Sequence, residues 1–291
     1  MTSRMSFGVV IRPQHWSWED QQREWPKVEA MGFESIWTND HLHSLIGPID
    51  NAAFEAQTTL AAIAMSTTRV RFGAMTYSVT HRIPTILAKQ LVTLDHMSGG
   101  RAVLGIGAGW YEEEHKAFAV PFPPAGKRVS MLAEALEIFR LLETNERTNF
   151  AGQYYSLVDT PFAPKPINGH VPILIGGTKP RMLKLVGQHA DIWDSGLKPD
   201  ELAVALETIR GHARDAGRDP ETIMASTGVW GPSSAWSGPP DDSQFADTVR
   251  AAYKAGVRQM LFKYTPDREG IETIPHLMET VVPELRAELE R

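Results

Sequence analysis

"LGIGAGWYEEEH", residues 104–115, decides between two folds. Glycines alternate at Gly105, Gly107 and Gly109, behind a short apolar run opened by Arg101. A dinucleotide-binding turn needs G-x-G-x-x-G opening a helix at once, in the first strand–helix–strand unit, with an acidic residue about 20 positions on. Here the spacing is G-x-G-x-G, the stretch belongs to the fourth such unit, and "WYEEEH" follows. Glu112, Glu113 and Glu114 would repel a pyrophosphate, and as a charge run they read as a solvated face at a helix start. The dinucleotide fold fails. Alternating glycines at a strand end then leave two readings. Either backbone approaches a flat ligand with no Cβ between, or small residues relieve crowding inside a narrow barrel.

Around this stretch the chain alternates. Strand-like runs at 6–11, 34–40, 69–79, 101–109, 171–177, 191–196, 222–230 and 257–264 are each followed by a segment of helical spacing. The helical partners include 18–33, with Trp25, Val28 and Met31 on one face, and 84–98, where Pro84 suits a helix start. Strands alternating with helices imply parallel pairing, and eight units in about 250 residues plus insertions is the size of a TIM barrel. The expected fold is therefore α/β, a (β/α)8 TIM barrel as a single domain over 1–291, with an open doubly wound sheet as the alternative. Long interruptions fall at 110–127, at 144–170 with a hairpin-like pattern, and at 231–242. Insertions after barrel strands shape a pocket on the C-terminal face.

Composition narrows the function. A chain of 291 residues with 42% hydrophobic and 22% charged residues is an ordinary globular protein. No run approaches the roughly 20 apolar residues of a membrane span, and the N-terminal apolar run is too short for a signal peptide. With no cysteine there is no disulfide framework and no thiolate nucleophile, so the expected location is the cytoplasm. A net charge of -6 argues against a nucleic-acid surface and makes any anionic ligand depend on a local cationic pocket.

One stretch supplies such a pocket. "LIGGTKPRMLK" puts Gly176 and Gly177 at a strand end, Thr178 as the expected helix N-cap, and Pro180 in the first turn. Free amides and the positive end of the helix dipole face a possible phosphate, and Lys179, Arg181 and Lys184 add cations. Asp40 and His41 close the second strand, where an imidazole titrating near neutrality can donate or take a proton; His43 is a weaker candidate. Gln14, His15, Trp16, Trp230 and Trp236 stand at expected strand ends and together suggest a flat hydrophobic substrate. A metal-dependent hydrolase is disfavoured: no H-x-H or H-E-x-x-H pair ends a strand, and "DHLH" is the nearest match. No metal ligands are assigned.

"WTNDHL" at 37–42, "SGGRAVLGIGAGWYEEEHKAFAVPFPP" at 98–124, "KRVSMLAEALEIFRLL" and "VPILIGGTKPRMLKLVGQHADIWD" together resemble the luciferase-like flavin and deazaflavin oxidoreductases. The likeness is greatest to the coenzyme F420-dependent branch, and it spans residues 6–265. It implies a TIM barrel with the cofactor ring over the ends of strands two to four, near Met75, Thr76, Gly107, Ala108 and Gly109. It also implies a bulge with a non-proline cis peptide within 74–76. The cofactor tail would lie at Gly176, Gly177, Thr178 and Lys179, and His41 with Asp40 would form the catalytic pair. Coenzyme F420 is the expected cofactor and FMN, with monooxygenase chemistry, the alternative; a non-catalytic cofactor-binding barrel is a further one. The expected reaction is hydride transfer to or from a small, hydrophobic organic molecule, by a homodimer. One departure stands out: sugar-phosphate dehydrogenases of this family carry a proton-donating glutamate directly after the glycine stretch, where this chain has Trp110.

Overall fold

The computed structural model describes residues 4–45, 48–228, 241–264 and 273–290. Strand and helix alternate as β1 (Ser6–Ile11), α1 (Trp18–Ala30), β2 (Ser35–Thr38), α2 (Ala56–Ser66), β3 (Arg71–Ala74), β4 (Tyr77–Ser78), α3 (Pro84–Ser98) and β5 (Ala102–Gly107). Then come α4 (Glu112–Ala117), α5 (Ala125–Thr144), a hairpin of β6 (Arg147–Ala151) and β7 (Ser156–Pro161), β8 (Ile173–Gly176), α6 (Pro180–His189) and β9 (Ile192–Asp194). The rest is α7 (Pro199–Asp215), β10 (Met224–Gly228), α8 (Asp242–Lys254), β11 (Val257–Tyr264), α9 (Thr273–His276) and, beyond one wide turn, α10 (Val282–Leu289).

The sheet runs β3-β2-β1-β11-β10-β9-β8-β5-β4, and an additional β3–β5 pairing closes it into a barrel. First and last strands meet in register, Ser6 opposite Gln259 through Ile11 opposite Tyr264. β3 and β4 occupy one barrel position, so the expected strand at 69–79 is a strand interrupted at its middle, where the Met75–Thr76 peptide bond is cis.

Period-two alternation sorts each strand into two cores. Trp37, Val103, Leu174, Ile192 and Leu261 form one buried cluster, with Val10, Met75 and Met224 packed on it. Their strand neighbours Ile36, Leu104, Ile175, Trp193 and Met260 belong to the larger cluster shared with the helices, which includes Trp25 and Val28 of α1. Successive Cβ atoms point to opposite faces, so the small cluster fills the barrel and the large one seals it beneath the helices. Gly105 belongs to this packing: a Cβ there would stand 1.8 Å from the Ala74 carbonyl oxygen.

Among the insertions, 110–127 follows β5 and carries α4. The hairpin follows α5 and lies back along it, with Glu134 of that helix accepting the amides of Gln153, Tyr154 and Tyr155. The third insertion falls mostly outside the described residues, as do Trp230 and Trp236. Among the described residues, no helix is long and apolar enough to cross a membrane.

At the opposite end of the barrel, His170 joins three elements. Its Nδ1 lies 2.7 Å from Glu143 Oε2 on α5, and its Nε2 lies 2.8 Å from Asp191 Oδ2 at the entry to β9. The same carboxylates accept the amides of Val171 and Ile173, which lead into β8. Hydrogen bonds to Asp191 and Glu143 outweigh burial and raise the His170 pKa to about 9. A histidine whose pKa is raised by folding stabilises the native state fully below about 6.5 and loses that contribution as pH rises through about 9. The imidazole is partly exposed, so solvent screening leaves about 1 kcal/mol. Chemical denaturation of wild type and His170→Gln should therefore differ by that amount at pH 6 and converge near pH 10. A constant difference across this range would remove the charged clamp.

Candidate active site

A cavity of about 740 Å³ opens across the C-terminal ends of the strands, in the range that takes a small ligand or cofactor. Gly107, Ala108 and Gly109 line it from β5 and beyond, Met75 and Thr76 from the β3–β4 break, and Gly176, Gly177 and Lys179 from the end of β8. His41 and Asp40 reach it from β2. Ten of the eleven residues that the resemblance assigns to cofactor and catalysis thus line one cavity.

Thr178 is the exception, being exposed and absent from the cavity wall. Nor is it the N-cap. Lys179 caps α6 in extended geometry, with φ -77°, because the residue before Pro180 is excluded from helical space.

 Its ψ of 151° compares with 159° at Ser17, the cap of α1. The cationic patch is also rearranged. Lys184 lies away from the cavity wall, while Arg128 joins Lys179 and Arg181 on it. Arg128 is held over the Phe122 ring and donates from Nε to the Ala108 carbonyl at 3.1 Å. Arg181 reaches back to the Gly126 carbonyl and Ser130 Oγ at the start of α5.

The glycine stretch divides between its two readings. Gly105 relieves backbone crowding inside the barrel, whereas Gly107 and Gly109 line the cavity. A Cβ on Gly107 would stand 2.7 Å from Thr76 Oγ1 and would narrow the floor beside the β3–β4 break.

Beneath His41 lies a buried row of charges. Asp40 accepts from the Ser78 amide at 3.0 Å and from Arg82 Nη1 at 2.8 Å, and its Oδ2 lies 3.2 Å from His81 Nδ1. Glu114 Oε2 lies 2.9 Å from His41 Nδ1 and accepts the Leu42 amide at 3.0 Å, while Oε1 contacts His81 Nε2 at 3.3 Å. Burial works against every charge here, but the pairing prevails. Asp40 is held below its ordinary pKa by His81 and Arg82, and Glu114 well below its own by His41 and His81. His81, between the two carboxylates, rises to about 9 and carries a proton at neutrality.

Glu114 corrects the sequence reading: only Glu112 and Glu113 form the solvated face, and Glu114 is 1% exposed. The signal was its position as the third residue of α4, about 100° and 200° round the helix from Glu113 and Glu112. His81 and Arg82, just before Pro84, carried a weaker signal as two cations with no nearby acid in sequence. His81, Glu114 and His115 also bring ligand atoms within 4.8 Å of one another. In this arrangement Glu114 spends its oxygens on His41, Leu42 and His81, and His115 Nε2 pairs with Thr80 Oγ1 at 2.6 Å, so the geometry serves a hydrogen-bonded network.

The aromatic residues divide differently from expectation. Trp16 is buried in the core and stacked on Tyr264, and Gln14 is spent on His43 and Leu45 backbone groups. Both serve packing. His43 is buried with Nδ1 against the Ser44 carbonyl and its ring on Tyr111. Trp110, by contrast, is 66% exposed, lines the cavity and meets the His41 ring edge-on at 5.8 Å.

The family described as luciferase-like monooxygenase matches residues 5–269. An F420-dependent glucose-6-phosphate dehydrogenase of Kineococcus radiotolerans is 31% identical over 229 residues, 72% of this chain and 67% of that protein. A phthiodiolone/phenolphthiodiolone dimycocerosates ketoreductase of Mycobacterium tuberculosis is 32% identical over 216 residues, 67% of this chain and 56% of that protein. Among solved structures, an F420-dependent secondary alcohol dehydrogenase in complex with an F420-acetone adduct superposes with a TM-score of 0.83 at 20% identity, covering 97% of this chain and 99% of the other. A long-chain alkane monooxygenase superposes at 0.79 with 16% identity over 99% of this chain and 92% of its own. Both structural likenesses concern the barrel fold.

Proposed function

The chain belongs to the luciferase-like monooxygenase family, and from that premise we propose that it is a coenzyme F420-dependent oxidoreductase acting on a small, hydrophobic organic substrate. The observation that carries the reading is one cavity with an imidazole on one side of β5 and a cationic patch on the other. The residues present suit a planar ring with an acidic tail. Gly107 leaves the floor open to a ring, and Lys179, Arg181 and Arg128 offset the protein's net negative charge where the tail would lie. F420 is favoured over FMN by the glucose-6-phosphate dehydrogenase relative whose name carries it and by the resemblance of the 98–124 stretch.

When bound and reduced, a deazaflavin supplies a hydride from a ring carbon. The chain's part is to hold the acceptor near that ring, keep water out and manage the proton. His41 stands where it can protonate the oxygen of a carbonyl as its carbon gains the hydride, so that the substrate takes up two electrons and two hydrogens; the imidazole is recharged from solvent. Trp110 and Tyr111 shape the mouth for a flat apolar molecule, and Trp110 replaces the acid of the sugar-phosphate dehydrogenases. The same reading takes 1–291 as one domain and, by analogy with the family, as a homodimer. Met65 of α2 and Ile83 and Ile86 around the start of α3 leave apolar surface for such a contact.

Anaerobic turnover with reduced F420 tests this. Apolar ketones or activated alkenes should be reduced, and oxidised F420 should not accept hydride from glucose 6-phosphate. Oxygen-dependent product formation with reduced FMN, and none with F420, would replace the reading by a flavin monooxygenase.

A further inference from the structure

We infer that Glu114 is a positioning residue, which fixes the His41 proton on Nδ1 and leaves Nε2 as the atom presented to the cavity; this rests on the proton-transfer role assigned to His41 above. Ionised carboxylate oxygens only accept, so the 2.9 Å contact to Glu114 Oε2 requires His41 Nδ1 to donate. The Leu42 amide donates to the same oxygen at 3.0 Å and ties it to the end of β2. On the other side Glu114 Oε1 faces His81, which is paired with Asp40, itself paired with Arg82. The order Arg82, Asp40, His81, Glu114, His41 therefore alternates cation and anion up to the imidazole. Burial makes protonated Glu114 the cheap alternative, and the two histidines with Leu42 hold it ionised instead. Among the described residues, His41 Nε2 makes no hydrogen bond, and the ring borders the cavity. A ring nitrogen is set by what the other nitrogen bonds: the doubly protonated ring gives its Nε2 proton to the carbonyl oxygen, and the buried acid holds the remaining proton on Nδ1 until solvent recharges Nε2.

Glu114 also ties α4 to the end of β2, and that structural role has to be separated from the proton role. Glu114→Gln does so. The glutamine oxygen stays with His81, whose protonated ring only donates, and keeps α4 tied in place, while the amide group faces His41, donates to Nδ1 and moves the proton to Nε2, giving up the Leu42 contact. The first readout is ring-nitrogen NMR of the cofactor-free protein with labelled histidine, the His41 signals being assigned by their loss in His41→Asn. Wild type should show a protonated Nδ1 and bare Nε2 in its neutral ring, and Glu114→Gln should show the proton shifted to Nε2. The second readout is kcat with reduced F420, expected to fall about 100-fold or more with KM within a few-fold, as happens when a histidine-orienting acid becomes an amide. Glu114→Asp, which keeps the charge, should restore the wild-type tautomer and part of kcat; His81→Asn serves if the glutamine variant does not fold, since it removes the partner of Oε1. An unchanged His41 tautomer overturns the inference, as does kcat within a few-fold of wild type. Because the NMR arm uses protein without cofactor, failure of the F420 reading leaves it decisive.

Discussion

Replacing His41 by asparagine is expected to lower kcat with reduced F420 by about 100-fold to 10000-fold while KM changes only a few-fold, the usual worth of a positioned proton donor. Asparagine keeps a polar side chain of similar reach, so the loss isolates proton transfer from packing. The reason is geometric. His41 is the cavity imidazole with Nδ1 on a buried acid and Nε2 without a hydrogen bond among the described residues, whereas His81 is locked between two carboxylates and His115 is spent on Thr80 and the Tyr111 carbonyl. Steady-state kinetics on the two proteins check this. A variant with wild-type kcat would mean that the substrate takes its proton elsewhere.

The second large effect concerns the frame. Gly105→Ala drives a Cβ to within 1.8 Å of the Ala74 carbonyl oxygen, a backbone atom on the strand that closes the barrel. Neither strand can yield without breaking the β3–β5 and β5–β8 pairings. The expected cost is about 3 kcal/mol or more, a fall in Tm of about 10 °C if the variant folds at all. Gly107→Ala provides the contrast, since its new Cβ meets a side-chain oxygen that can rotate. It should fold nearly as well and bind F420 at least about tenfold more weakly. Thermal unfolding and titration of both variants separate the two uses of the glycine stretch; equal Tm values for Gly105→Ala and wild type would refute the crowding argument.

These residues also show how far the sequence could be read. The barrel was legible because parallel strands buried on both faces leave long apolar runs, and the helices between them keep their own period. The break at Met75–Thr76 came from resemblance, since no propensity in "RVRFGAMTYSV" marks it. Thr178 was misread because a threonine before a helix is a common cap, yet the proline two residues later moves the start so that Lys179 holds the cap position. Glu114 was missed for a different reason. Three consecutive glutamates look alike in sequence, and only the turn of α4 decides that the third points inward. Its partners His41 and His81 lie 73 and 33 positions away, a distance over which spacing says nothing.

The proposed activity requires a tailed deazaflavin to lie over the barrel mouth. Titration of the purified protein with oxidised F420 and, separately, with FMN, followed by calorimetry, tests that most directly. Binding of F420 at a micromolar or lower Kd, with FMN on the order of 100-fold weaker, is the result expected. Tighter binding of FMN, or no binding of either, would contradict it.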